Sequence, residues 1–515
     1  MTADKNKTTA WQAREGSFSQ ARECGRALPD GTLRGGLKEP SQGSFSQARE
    51  CGRALPDGTL RGSLKEPSQG SFISAELRIL VRLALPLMAS QVGMMFMGVV
   101  ETLLMGRAGN TALAAVSLGN AWTHGTILIA MGVVMGADPI LSQAYGAGDT
   151  KTVALTFQRG LVLAVLLGVP VSLLWLCTLP VLGAFGQDPG LSALASTFVA
   201  LQAPTAFGFL VFTISRQYLA GRGVVAPSLW VVLIVNVVNA GLTWWLVFGG
   251  GGLPPVVGAG LAGAVVRLLL PALLLAVIFR AGLHKPAWIA WGRASFDWRR
   301  IARIAWIGMP VGLHFGLEVW AFQLATLMAG KLGPIPLGAH AIVLNLASFS
   351  FMFPLGISTA ASVRVGNLIG AGDEVGARRA ARISLFLGAG VMALFGAAFF
   401  LLRWQLPRLY GAEPAVQALC AHVLPVAAAF QMLDGTQVVA SGILRGLGRT
   451  KPAAIFNFCG YYFLALPIAY GLGLGGGWGL RGVWWGLAAG LLFVATGLLV
   501  MVLPKRAYHT QRTQA

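Results

Sequence analysis

Ten acidic residues follow position 78, and four of them stand where a charge is expensive. Asp149, Asp188, Asp297, Asp373, Glu374 and Glu413 fall at or near breaks between apolar runs, whereas Glu101, Asp138, Glu318 and Asp434 lie inside the runs. A carboxylate near the centre of a lipid-embedded helix costs about 2.5–3.5 kcal/mol on insertion scales, and acids kept there generally face a cavity or an ion path. Glu318 and Asp434, deepest in their runs, are therefore the leading candidates to hold a cation. Glu101, near one end of its run, is a third, and Asp138, roughly two turns before a glycine break, reads as a gate or packing residue. His314 precedes Glu318 by four residues, so the two share a helical face. No third ligand and no HExxH accompany them, so a hydrogen bond inside a bundle explains the pair better than a metal. The acids are one-sided with respect to an internal repeat, which suggests specialised cavities with Glu318 and Asp434 in opposing halves.

The elements that must position these residues follow from composition. The 515 residues are 55% apolar and only 11% charged, with 68 glycines. Soluble domains carry about 25% charged residues, so this chain cannot clothe a water-facing surface of its size. A secreted disulfide scaffold, a disordered chain and a cytosolic enzyme are excluded. From Leu77 onward the chain reads as twelve apolar runs, each long enough to cross about 30 Å of hydrocarbon. The expected fold is an all-α polytopic membrane protein. Alternate breaks differ in charge. One set carries Lys151, Arg222, a cluster from Arg280 to Arg303, then Arg378, Arg379, Arg382, Arg445, Arg449 and Lys451; the other has little beyond Arg107, Lys331, Arg403, Arg408 and Arg481. The positive-inside rule places the first set, both termini, a linker over 281–303 and a tail over 505–515 in the cytoplasm. The formal charge of +20 thus serves topology. No basic, aromatic-interleaved soluble domain exists to take it to nucleic acid.

The runs form two halves, 77–280 and 304–504. Pro86 matches Pro310, Gly106-Arg107 matches Gly330-Lys331, and Gly146-Ala-Gly-Asp149 matches Gly370-Ala-Gly-Asp373, all at an offset of 224. Six spans per half preserve orientation, so two pseudo-symmetric six-helix bundles related by an axis along the membrane normal are expected, with substrate between them. Residues 1–76 differ. A 27-residue unit at 16–42 recurs at 43–69 with one change, Gly36 to Ser63. It has no sustained periodicity and little to bury, so disorder is expected there.

Other motifs carry less. Gly258-Ala-Gly260-Leu-Ala-Gly263 fits GxGxxG but opens a membrane run rather than following a strand. Cys24 and Cys51 are copies in the repeat, Cys177, Cys420 and Cys459 sit in apolar runs, and no spacing suggests zinc. His124 and His340 read as small polar packing groups. Prolines 86, 139, 204, 310, 354 and 425 mark bends within spans.

Taken together, the motifs over roughly residues 77–503 resemble the multidrug and toxic compound extrusion (MATE) transporters, in the NorM-like branch. Leu85-Pro86 with Glu101 and Gly106 looks like the family's first-span pattern, with Glu where Asp is usual. Asp138-Pro-Ile-Leu-Ser-Gln143-Ala-Tyr-Gly-Ala147 is similar to its second-span segment. Gly308-Met-Pro310 with Glu318 resembles the seventh-span motif, and Asp434-Gly-Thr-Gln437 with Arg445-Gly-Leu-Gly448 the tenth. The resemblance implies a monomeric antiporter in the plasma (inner) membrane that exports amphipathic, mostly cationic compounds in exchange for H⁺ or Na⁺. It implies no cofactor beyond the coupling ion. Glu318, Asp434 and Glu101 would bind that ion and the substrate, any Na⁺ sitting at Glu318 and Asp434, with Asp138, Phe430, Gln437 and His314 as accessories. Some Na⁺-linked members carry Tyr where this chain has Phe430, which tilts the expectation towards H⁺. A flippase for lipid-linked glycans shares the plan, but acids rather than basic residues dominate here. An enzyme would need a nucleophile–base pair or metal ligands at helical spacing, and none is evident.

Overall fold

The computed structural model describes residues 69–249 and 253–509, all within one compact unit, Pro67–Ala515. The 27-residue repeat expected to be disordered lies outside the described residues, apart from its last position, and so does the tail from 510. Twelve described helices are long and apolar enough to span a bilayer: α1 Ser74–Ala108, α2 Asn110–Gly146, α3 Thr150–Leu176, α4 Pro189–Gly221, α5 Ala226–Gly249, α6 Pro255–Arg280, α7 Trp298–Lys331, α8 Pro334–Gly370, α9 Glu374–Leu401, α10 Pro414–Gly446, α11 Lys451–Gly475 and α12 Gly479–Val502. No strand occurs among the described residues. At 1.5 Å per residue even the shortest span exceeds the hydrocarbon thickness.

Helix extends further back than expected, starting at Gln69 within the stretch read as disordered. Glu76 explains part of this. Its two carboxylate oxygens accept from Arg364 Nε and Nη2 of α8, both at 2.7 Å, a fork-to-fork pairing that fixes direction as well as distance. The linker is also shorter and more tightly held than expected. The Asp297 side chain accepts from the backbone N–H groups of Arg299 and Arg300, so α7 starts at Trp298 rather than near 304. Before it, Arg222 donates to the Leu283 carbonyl at 2.6 Å, Tyr218 to Ala287 at 3.0 Å and Gln158 to Ile289 at 2.6 Å. The linker is thereby docked on the first half.

Pseudo-symmetry is visible contact by contact. A Cβ on Gly146 would strike the Asn367 backbone, and one on Gly370 would strike the Gln143 backbone. These are the same contact twice, since 146 and 370, like 143 and 367, are 224 apart. Gly132 against Gly312 is repeated as Gly356 against Met88 by the same offset. Gln143 Nε2 donates to the Gly446 carbonyl at 3.0 Å. Its counterpart Asn367, with its amide nitrogen turned to the acceptors, donates to Gly221 at 3.1 Å. Small residues let backbones approach where lipid provides no hydrophobic drive. The repeated Gly-Ala-Gly-Asp has a second task. Gly148 and Gly372 take φ of 74° and 82° to end one helix, and Asp149 and Asp373 cap the next through the N–H groups of Thr152 and Gly376. Hydrogen bonds from Thr152 hold the Asp149 carboxyl below its ordinary range.

These contacts join α1 to α8 and α2 to both α7 and α8, and they gather towards the end of the bundle that carries the basic breaks. Four spans depart from regular α-helix, and α5 does so at its end, in a π-helical turn over Trp245–Gly249. α2 breaks at Met135–Gly136, placing Asp138 in the first turn of the helix Ala137–Gly146, where the helix dipole favours an acid. α4 breaks at Ala203–Thr205 around Pro204. α11 widens into π-helix over Cys459–Ala465 and Gly471–Gly475.

Candidate functional site

Glu318 sits two turns beyond Pro310 on α7 and is 6% exposed. Glycines 308, 312 and 316 put one face of this helix against α2, while Glu318 faces the second half. Gln437 Nε2 of α10 donates to Glu318 Oε1 at 3.0 Å, and the Tyr461 hydroxyl of α11 donates to the same oxygen at 3.4 Å. His314 Nε2 stands 3.7 Å from Oε2. Tyr461 lies in the π-helical stretch of α11; such widened turns recur at functional sites. Asp434, 4% exposed, is one turn before Gln437 and near enough to Glu318 for the two carboxylates to repel. One turn further back, the Phe430 ring packs against Phe322 and Trp484, with centroids 6.1 and 5.8 Å away.

Both acids line one cavity of about 350 Å³. Its second-half wall includes Phe315, Phe322, Phe351 and Phe430, and its first-half wall is formed by Gln91, Leu128, Met131, Met135 and Arg216. The cavity therefore lies between the halves, in the size range of small-molecule sites. The expectation that Glu318 and Asp434 occupy opposing halves is wrong. Both belong to the second, and the offset already hinted at this, because 318 and 434 each exceed 304. Two like charges in an apolar cavity are stabilised by any cation placed between them. Among the described residues no three His, Cys, Asp or Glu side chains cluster as a metal site, so a Na⁺ here would have to draw on the Tyr461 and Gln437 oxygens as well.

The structure brings Glu318, Asp434, His314, Phe430 and Gln437 together but leaves Asp138 and Glu101 apart. Asp138 Oδ2 is 3.1 Å from Arg445 Nε, off the line of the N–H, with the two side chains 6% and 4% exposed. This pair crosses between the halves, as do Glu76–Arg364 and Gln143–Gly446. Arg445 was counted above among the loop charges; it is buried at the end of α10 instead. Glu101, half-buried, accepts from Asn120 Nδ2 of α2 at 3.0 Å and feels Arg267 of α6. His124, exposed, meets the Asn120 carbonyl of its own helix at 2.9 Å, and the buried His340 meets Thr326 at 3.1 Å.

Sequence reasoning missed Tyr461 and Arg216. Arg216 is charged inside a span, so the argument applied to the acids would have found it. Tyr461 could have been suspected only as a phenol in a run otherwise poor in polar groups.

Comparison with known proteins agrees with this architecture. A family model, MatE, matches residues 86–245 and again 310–471, one match per half. The multidrug resistance protein NorM of Burkholderia vietnamiensis is 35% identical over 429 residues, covering 80% of this chain and 91% of its own. Multidrug and toxin extrusion protein 2 of Mus musculus is 31% identical, covering 84% of this chain and 75% of its own. The crystal structure of the eukaryotic MATE transporter AtDTX14 superposes with a TM-score of 0.79 at 24% identity, over 85% of this chain and 98% of its own, which speaks for the fold. With the same model fitting both halves and relatives of this identity along most of the chain, the protein belongs to the MatE family and is a multidrug efflux transporter of the membrane.

Proposed function

We propose that this transporter is an antiporter that exports amphipathic, mostly cationic compounds in exchange for protons. The observation that carries the reading is that Glu318 and Asp434, both buried, line one cavity between the halves together with aromatic and methionine side chains. A carboxylate in such a place is stabilised either by a proton or by an organic cation. The two therefore compete, and binding one releases the other. Gln437 and Tyr461 hold Glu318 from one side and His314 flanks its other oxygen. Phe430 contributes an aromatic face and no oxygen, and the Tyr461 hydroxyl is already turned to Glu318, which favours H⁺ over Na⁺. The glycine contacts and the ties of Asp138, Glu76 and Gln143 hold the halves together at the basic end, which the positive-inside rule assigns to the cytoplasm together with both termini. The cavity then loads protons from the opposite side. One-for-one exchange of a proton for an organic cation moves no net charge, so the pH gradient drives it; a second inward proton, taken by the other acid, would add about 2.3 kcal/mol per 100 mV of membrane potential. Glu101, paired with Asn120 and near Arg267, serves as an auxiliary cation site in the first half. The working unit is a monomer in the inner membrane. A flippase for lipid-linked glycans is less well matched, because two acids set the polar character of the second-half wall.

The test is efflux of a fluorescent organic cation from proteoliposomes with a pH gradient alone and then with a Na⁺ gradient alone. Export driven by the pH gradient is expected. Export driven only by Na⁺ would reassign the coupling ion, and no export under either would refute antiport.

A further inference from the structure

The acids occupy one wall of the central cavity, and a cation occupies the other. Arg216 of α4 lines it from the first half beside Gln91, while Glu318 and Asp434 line it from the second. Arg216 is 8% exposed. Its Nη1 donates to Gln91 Oε1 at 2.7 Å, the one hydrogen bond that the described residues give this guanidinium, and its Cζ lies 6.0 Å from the Phe212 ring centroid. A guanidinium has five N–H donors, so most of this fork is uncommitted. Asp138 acts on it electrostatically, yet the carboxylate of Asp138 is already turned to Arg445, at 3.1 Å. A charged group inside a membrane protein, incompletely paired and facing a cavity, marks a place where a partner is expected to come.

We propose that Arg216 is the anion-recognising group of this cavity, the side chain that reads a carboxylate on an amphiphile whose cationic end goes to the acids. The inference deepens the antiport reading and rests on it for the role of the acids. The arrangement is dipolar. The amine goes to Glu318 and Asp434, the carboxylate to the open side of the Arg216 fork, and the body lies against Met131, Phe315, Phe322 and Phe351 between them. Arg216 stays charged throughout, because a guanidinium does not release its proton in this pH range. The carboxylate end therefore gives selectivity without joining the proton exchange, which remains with the acids. Arg is suited to this role where Lys is not, since its planar fork can hold both oxygens of a carboxylate.

Two rhodamine dyes of one skeleton separate the contributions: rhodamine 110, with a free carboxylate, and rhodamine 123, its methyl ester. Fluorescence anisotropy with the purified full-length protein gives the affinity for each without needing a gradient. In the wild type the carboxylate dye is expected to bind at least as tightly as the ester. In Arg216→Gln the affinity ratio of ester to carboxylate dye should rise at least about tenfold, the range expected for one hydrogen-bonded charge. Arg216→Lys should fall between, keeping the charge and losing the fork. If both dyes weaken together in Arg216→Gln, the residue positions Gln91 or the Asp138–Arg445 pair and the inference is overturned. An unchanged ratio, or a wild type that binds only the ester, overturns it equally. Transport is read separately in proteoliposomes. A ratio change in binding with no gradient-driven export would leave Arg216 in its assigned role and remove the antiport reading instead.

Discussion

Asp138→Asn would remove the carboxylate that faces Arg445 and acts on Arg216, leaving two buried guanidiniums without it. Breaking a buried pair by removing one partner costs about 3–5 kcal/mol. Both side chains are at most 6% exposed, so solvent screening gives little relief. Arg445→Gln should cost less, because Asp138 then keeps Arg216 as a neighbour. The double variant should recover part of the loss, with a coupling energy of about 1–3 kcal/mol, as expected for residues in one ionic network. Because the pair joins α2 to α10 across the two halves, the loss should fall mainly on the conformation closed at the basic end. About 3 kcal/mol corresponds to roughly a hundredfold shift in the ratio of states. The assay is the alkylation rate of Thr359→Cys, a cavity position, in an otherwise cysteine-free protein, with a membrane-impermeant reagent applied from the basic side in inside-out vesicles. The rate should rise about a hundredfold in Asp138→Asn, less in Arg445→Gln, and in the double variant by clearly less than the product of the two single effects. Equal rates in all four proteins, or strictly additive effects, would show that the pair does not hold this end shut.

Three further outcomes are expected. Deleting residues 1–72 should leave membrane insertion and drug protection intact, whereas Glu76→Gln should lower the thermal midpoint by about 1 kcal/mol equivalent, since its partly exposed pair with Arg364 is discounted by solvent; loss of protection by the truncated form at normal membrane levels would contradict this. A cysteine at the exposed position Arg293 should resist impermeant reagents outside intact cells and react in inside-out vesicles, and external labelling would invert the orientation. Phe430→Tyr adds an oxygen one turn from Asp434 and should raise the Na⁺ dependence of export in proteoliposomes; an unchanged ion profile would remove Phe430 from the ion argument.

The architecture was legible because it depends on patterns that lipid enforces. Apolar runs must become helices that satisfy their own backbone, and Gly146-Ala-Gly-Asp149 recurs at 370–373 because each copy ends one helix, caps the next and packs against the other half. Glu318 and Asp434 were legible for the same energetic reason, since each is an expensive residue in an apolar run. Their meeting in one cavity was harder to see, because it depends on how α7 and α10 face each other and on where α11 widens to bring in Tyr461. Asp138 was located but not its partner, because Arg445 lies near a span end and looks like a loop charge until α10 carries it inward. The first turns of α1 were missed as well, because the Glu76–Arg364 pair that anchors them joins residues almost three hundred apart, and no local signal announces it.

The most direct test of the account is proton-driven efflux of an organic cation by Glu318→Gln and Asp434→Asn, each reconstituted at wild-type levels and driven by an imposed pH gradient. Both substitutions keep shape and hydrogen-bonding capacity while removing the exchangeable charge. Because the two acids share one cavity and the repeat supplies no spare, each variant should lose export while remaining folded, and Glu101→Gln should weaken it less. Wild-type export by both neutral variants would show that these carboxylates are packing groups and would contradict the mechanism.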